Sequence, residues 1–311
     1  FSLTGCKAKS EDGREASQSS KQASAAPRSI EEALSPGTTD GFDGNKAFEH
    51  VAKQVSFGPR PSGSPAIAGV QEYLVGQLKS YGCAVDVDAF STDTPVGRLP
   101  MKNILVKIAG ATPSVILLGT HYDTLLRHDI AFVGANDSGS STAVMLEVAR
   151  LLCPQHGHDA VWIAFFDGEE AMKSWSETDS RYGSRQMAAR FAASGDIPKI
   201  KAFLLADIVG SRPLHFRKDT NSTKALNDLI WNTAAKLGYS DVFVNENTSI
   251  EDDHDSFLKR KVPCIDVIDL DRSGDVAYWH MADDTLDKIS ARSLAITGHV
   301  FLESIKELQK R

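Results

Sequence analysis

From Gly44 onward the apolar positions alternate between two periods. NKAFEHVAKQV repeats them at helical spacing, the breakers of FGPRPSGSP interrupt, and AIAGVQEYLVGQLKSYG resumes the helical pattern. CAVDVDAF and NILVKIAG predict strands, and SVILLGTHYDT predicts an apolar strand whose end carries His121 and Asp123. In GANDSGSSTAVMLEVARLLC, Asp137 falls in a Gly- and Ser-rich turn before a helix. The grammar then repeats. VWIAFFDG is a strand, SRQMAARFAA a helix, IKAFLLADIVG a strand with Asp207 near its end, and ALNDLIWNTAAKLGY a helix. CIDVIDL is a last strand, and a long helix runs from about Thr285 to Leu308. Strands alternating with helices predict a single α/β domain, a central mixed and mainly parallel twisted sheet covered by helices on both faces. Its expected extent is 41–311.

Residues 1–40 read differently. Lys7 to Ser29 is rich in Ser, Ala, Lys and Gln, as a flexible tether is. Before it, Leu3-Thr4-Gly5-Cys6 resembles a bacterial lipobox, which implies a signal remnant, a lipid anchor on Cys6 and a place in the cell envelope. The other cysteines, 83, 153 and 264, make neither a metal clip nor a dense disulfide framework; Cys153 and Cys264 are expected in the core. A formal charge of −7 argues against nucleic acid as a partner, and no apolar run is long enough to span a bilayer.

In open α/β sheets the ligand crevice lies beyond the carboxyl ends of the strands. His121, Asp137, Glu169, Glu170 and Asp207 all fall at or just after such ends, and His280, in AYWHMADD, lies between the last strand and the last helix. Each alone has an ordinary explanation: a surface His, or an Asp capping its helix. Adjacent carboxylates at the end of a buried strand repel each other, however, unless a cation or a proton-transfer task holds them there. His121, Asp137, Glu170, Asp207 and His280 would suffice for one zinc ion, or for two bridged by Asp137. Asp123, two residues after His121, suits a carboxylate that orients the imidazole.

The series THYDT, GANDS, FFDGEE, LLADIVG and WHMADD resembles the zinc-dependent aminopeptidase superfamily, whose fold is a zinc exopeptidase-like α/β sandwich of hydrolase type. RPSGSP, DAFSTDTPVG, WSETDSRYGSR and IEDDHDSFLKRKVP look like its glutaminyl-peptide cyclotransferase branch. That resemblance implies one zinc ion, with a second possible, held by Asp137, Glu170 and His280. Glu169 would be the catalytic acid and base, and Trp175 and Trp279 would wall a glutaminyl pocket. Asp207 and Asp252 would form an acidic hydrogen-bond chain near the reacting nitrogen. Apart from the resemblance, the tryptophans would be core packing and Asp252 a solvated helix start. The implied partner is a peptide or protein with N-terminal Gln, acted on by a monomer.

Some positions depart from the branch. Asp266 stands where vertebrate members carry a His, the loop DLDRSGDVAYWH is longer and lacks a Phe, and the vertebrate cysteine pair around the first motifs is missing. Two rival readings share the scaffold. In a metallo-aminopeptidase Glu169 would activate a water to remove an N-terminal residue. In a surface binding protein the catalysis would be lost, against which the intact Glu169 argues.

Overall fold

The computed structural model describes residues 1–2, 29, 31–270 and 276–311. Leu3 to Cys6, most of the tether and part of the DLDRSGDVAYWH loop lie outside the described residues. Packing begins upstream of residue 41: Ser29 accepts the backbone N–H of Ala291, and Thr39 is fully buried. Among the described residues no helix is long and apolar enough to cross a membrane.

Helix α1 (Gly44–Val55) starts where the Asp43 carboxylate accepts the N–H groups of Asn45 and Lys46. Helix α2 (Pro65–Ser80) opens with Pro at its first position and Ser64 as cap. Strands β1 (Val85–Thr94) and β2 (Gly97–Ile108) form a hairpin longer than the alternation in CAVDVDAF and NILVKIAG suggested. There follow β3 (Val115–His121), α3 (Gly139–Leu152), β4 (Ala160–Phe166), α4 (Tyr182–Ser194) and β5 (Ile200–Asp207). The chain continues through β6 (Phe216–Asp219), α5 (Lys224–Lys236), β7 (Phe243–Thr248), α6 (Asp255–Leu258), β8 (Cys264–Ile268) and α7 (Ala291–Gln309). The last helix starts at Ala291 rather than Thr285, because Ser290 accepts the N–H groups of Arg292 and Ser293 and so caps it there. Leu286–Lys288 is only a 3-10 turn.

The main sheet has the order β1-β2-β4-β3-β5-β8. Its first two pairings are antiparallel and its last three parallel, which makes the mixed, mainly parallel sheet expected. Every residue of β3 and β4 is buried, as strands covered on both faces must be. The larger core lies under α1, α2, α3, α5 and α7, and the smaller one packs Trp162, Phe166 and Phe203 against Phe191 of α4 and Phe257 of α6. A second, two-stranded parallel sheet of β6 and β7 has no counterpart in the sequence pattern. Its strands are short and polar, held by Phe216 against Phe243 at 4.7 Å between ring centres, so alternation is absent.

Cys153 packs against the larger core, partly buried, and is also disulfide-bonded to Cys83 across 70 residues of chain, which the sequence did not indicate. The pairing follows from α2 and α3 lying together on one face of the sheet, a tertiary relation that no spacing encodes. Cys264 is a buried free thiol, as expected.

Candidate active site

Parallel β3, β4, β5 and β8 point their carboxyl ends to one edge, and the chemistry gathers there. β3 ends in His121, β5 in Asp207, and β4 runs directly into Asp167-Gly168-Glu169-Glu170. The turn needs its glycine: Gly168 has φ +72°, and a Cβ there would come within 2.7 Å of Met101 Sδ.

Two side chains that do not face the cavity fix the ones that do. Asp123, fully buried, meets His121 Nδ1 at 3.3 Å, the orienting contact expected of it. Its two carboxylate oxygens also accept the backbone N–H groups of Glu169 (3.1 Å) and Glu170 (3.2 Å). Asp284 does the same for the second loop, accepting the N–H groups of Asn136 (2.7 Å) and Asp137 (3.1 Å). Sequence reasoning missed Asp284, whose one signal was its place at the end of WHMADD. It also missed Arg60 in RPSGSP. That guanidinium is wholly buried and donates to the carbonyls of Tyr122, Val133 and Gly134, so it ties β3's exit to the Asp137 turn. Burial lowers its pKa to about 10, while Asp284, Asp123 and Asp137 oppose the shift.

Among the described residues two groups of side chains converge closely enough to hold a metal: Asp137, Glu170 and His280, and His121, Asp137 and Asp207. His280 Nε2 lies 3.2 Å from Asp137 Oδ2 and 3.3 Å from Glu170 Oε1; His121 Nε2 lies 3.2 Å from Asp137 Oδ1 and from Asp207 Oδ1. All five residues named from the sequence are therefore brought together, with Asp137 between the two sets.

The donor chemistry fits a cation. Glu170 Oε1 is buried with no aligned hydrogen-bond donor, which is costly for a carboxylate that has nothing else to bind. Burial and the neighbouring Asp137 push its carboxyl up to about 7, with His280 opposing. Burial alone would lower the imidazole of His280, but Glu170 and Asp137 raise it to about 10. His121 is likewise raised, by Asp207, Asp123 and Asp137 against the effect of burial. The cluster demands positive charge, and a divalent ion can supply it in place of the imidazole protons.

Beside these ligands opens a cavity of about 680 Å³, lined by Glu169, Asp207 and Asp252 on its acidic side and by Trp175 and Trp279 at its mouth. The tryptophans are not core residues: they are 40% and 42% exposed. Trp279 stacks on His280 at 4.2 Å, and Trp175 lies beneath the Arg181 guanidinium at 5.1 Å. Asp252 is not solvated either. It is 2% exposed, preceding α6 in a segment folded back against the cavity, and its Oδ2 is buried without a donor. Burial, Asp207 and Asp253 push its carboxyl well above the usual range. Asp207 accepts from the N–H of Ile208 at 2.8 Å and meets His121; the hydrogen bonds of the described residues do not join it directly to Asp252. Asp266, the departure on β8, is fully buried, and Asp252 and Asp207 are among the charges that, after burial itself, raise its carboxyl.

Glu169 is 6% exposed and lines the cavity. Burial first, then Asp252 and Glu170, push it well above the ordinary glutamate range, with His121 opposing. A buried carboxyl that borders a cavity can exchange a proton with what the cavity holds.

The sequence profile of peptidase family M28 matches residues 103–305. The glutaminyl-peptide cyclotransferase of Boiga irregularis is 30% identical over 285 residues, 78% of this chain and 76% of that one. Among solved structures, an Acidobacteriales bacterium glutaminyl cyclase is similar with a TM-score of 0.82 and 40% identity, covering 93% of this chain and all of that one (100%). A Zn-dependent exopeptidase of Parabacteroides distasonis is similar with a TM-score of 0.78 and 26% identity, covering 85% and 98%. The chain belongs to peptidase family M28, within its glutaminyl-peptide cyclotransferase branch.

Proposed function

We infer that this chain is a zinc-dependent glutaminyl-peptide cyclotransferase, which converts the N-terminal Gln of peptides or proteins to pyroglutamate and releases ammonia. The observation that carries the reading is Glu169: a buried carboxyl on the wall of a cavity that a metal-ligand set and two exposed indoles also line. Asp137, Glu170 and His280 would hold a zinc ion, whose chemistry there is Lewis-acid polarisation of the substrate's γ-carboxamide.

The chain's own residues do the rest. Trp175 and Trp279 flank the glutaminyl side chain and hold it folded toward its own α-nitrogen, so that ring closure needs orientation rather than an activated water. Asp207 and Asp252 present an acidic wall to the α-ammonium group. Glu169 takes a proton from that nitrogen, which then bonds to the γ-carbonyl carbon. As the bond from that carbon to the amide nitrogen breaks, Glu169 delivers the proton to it, and ammonia leaves. The second proton lost by the α-nitrogen departs with it as ammonium.

One ion, at the His280 set, is the reading we favour, since Asp137, Glu170 and His280 all line the cavity and His121 does not. The intact second set, with the similarity to a Zn-dependent exopeptidase, supports one other reading, an aminopeptidase. Mass spectrometry of a Gln-initiated peptide incubated with the protein separates the two. Loss of ammonia supports the cyclase, and loss of the whole residue overturns it.

We further propose an envelope-anchored monomer, with Cys6 as the lipid-bearing residue. The Cys83–Cys153 disulfide supports export, because such bonds persist in oxidising compartments.

A further inference from the structure

WSETDSRYGSR places Arg181 directly before α4, and the proposed chemistry gives it no task. Its surroundings are unusual for a cation. The side chain is 3% exposed, and the backbone is left-handed at φ +51°. Three of its contacts bear on the cavity. Its N–H donates to the Glu169 carbonyl at 2.7 Å, its Nη1 lies 2.6 Å from Asp255 Oδ2, and its guanidinium covers the Trp175 ring at 5.1 Å.

Two reach residues that line the cavity, Glu169 and Trp175, and the third reaches Asp255, next to the segment that carries Asp252. Trp175 is a mouth residue with little protein behind it, so whatever packs on its ring sets its angle. On the other edge its Nε1 reaches Glu251 at 3.4 Å, a weak bond to an exposed side chain. The planar guanidinium is the firmer support. Asp255 begins α6, and its N–H donates to the Asp252 carbonyl at 2.9 Å, so the ion pair also secures the segment that carries Asp252.

We propose that Arg181 is a positioning residue for substrate: it holds the Trp175 indole and the Asp252 segment at the spacing that receives the glutaminyl side chain. This rests on the cyclase reading. It touches neither the metal ligands' side chains nor the Glu169 carboxylate, so its loss acts on KM and leaves kcat and zinc content nearly unchanged.

The test is steady-state cyclisation of a Gln-initiated peptide, with zinc content measured alongside, for the parent, Arg181→Met and Arg181→Lys. Either replacement faces the same left-handed backbone as Arg does, so that conformation adds no new strain. Arg181→Met should raise KM about fivefold to thirtyfold, the range of a desolvated cation–aromatic contact, with kcat within about twofold. Arg181→Lys retains charge for Asp255 but not the planar stack, and should raise KM by a smaller factor. In a Trp175→Ala background, Arg181→Lys should add less than about twofold, because its route to the substrate is gone. Should Arg181→Met fail to fold, the Arg181→Lys cycle decides. A parental KM in Arg181→Lys, or the same factor with and without Trp175, overturns the inference. A parent that releases no ammonia overturns the cyclase reading instead.

Discussion

Glu169 and Glu170 are consecutive in the chain, and both are held by the same Asp123 carboxylate through their backbone N–H groups, yet their side chains part. Glu170 Oε1 lies 3.3 Å from His280 Nε2, whereas Glu169 lines the cavity and belongs to neither metal-holding group among the described residues. Two carboxylates that differ only in direction can divide metal binding from proton transfer.

Glu169→Gln should therefore retain fold and zinc while lowering turnover by about two to four orders of magnitude, because the amide keeps size and polarity but cannot carry a proton. Glu170→Gln should lose zinc instead, since it withdraws an anionic ligand. Metal content beside the rate of pyroglutamate formation checks both. A Glu169→Gln protein that cyclises at the parental rate with zinc bound removes the proton-shuttle assignment.

Asp284 touches the ligand Asp137 only through the backbone, bonding two successive N–H groups. Asp284→Ala should weaken zinc affinity by about tenfold to a hundredfold, as loss of a supporting carboxylate does. Competition with a graded series of chelators reads the change, and unaltered affinity would show that the turn holds its shape without Asp284.

His50, far from the ligands, gives stability a pH dependence. Tyr73 and Tyr81 hydroxyls meet its two ring nitrogens, and burial, with Arg150 and Lys46 nearby, lowers its pKa to about 4. The folded protein keeps it neutral while the unfolded chain protonates it below about 6.5, so the unfolded state binds more protons in that window. Stability should fall as pH drops from about 6.5 to about 4, by up to about 3 kcal/mol from this residue. His50→Gln should remove that part of the slope. Urea unfolding of both proteins across the window is the measurement, and parallel pH profiles would contradict it.

Anchoring is tested apart from catalysis. Expressed with a complete signal sequence, Cys6→Ala should leave the membrane fraction and keep its cyclisation activity. Retention in the membrane at the parental level would end the lipobox reading.

How much of this was legible beforehand differs from residue to residue. The unbroken apolar runs of SVILLGTHYDT and VWIAFFDG mark strands covered on both faces, and parallel connection then sends His121, Glu169, Glu170 and Asp207 to one edge. That much is local patterning plus a topological rule, so the sequence alone determined the α/β class and the side of the sheet where chemistry collects. The pairing of Cys83 with Cys153, the β6–β7 sheet and the burial of Asp252 were decided only by tertiary structure. In each case the partner lies far along the chain or the segment is too polar to carry a period. Asp284 and Arg60 belong with them. Their work is done on backbone N–H and C=O groups, which all residues but proline possess, so nothing in the partner's identity marks the contact. Sequence chose the reactive groups, and packing set the distances and the dryness that determine what those groups can do.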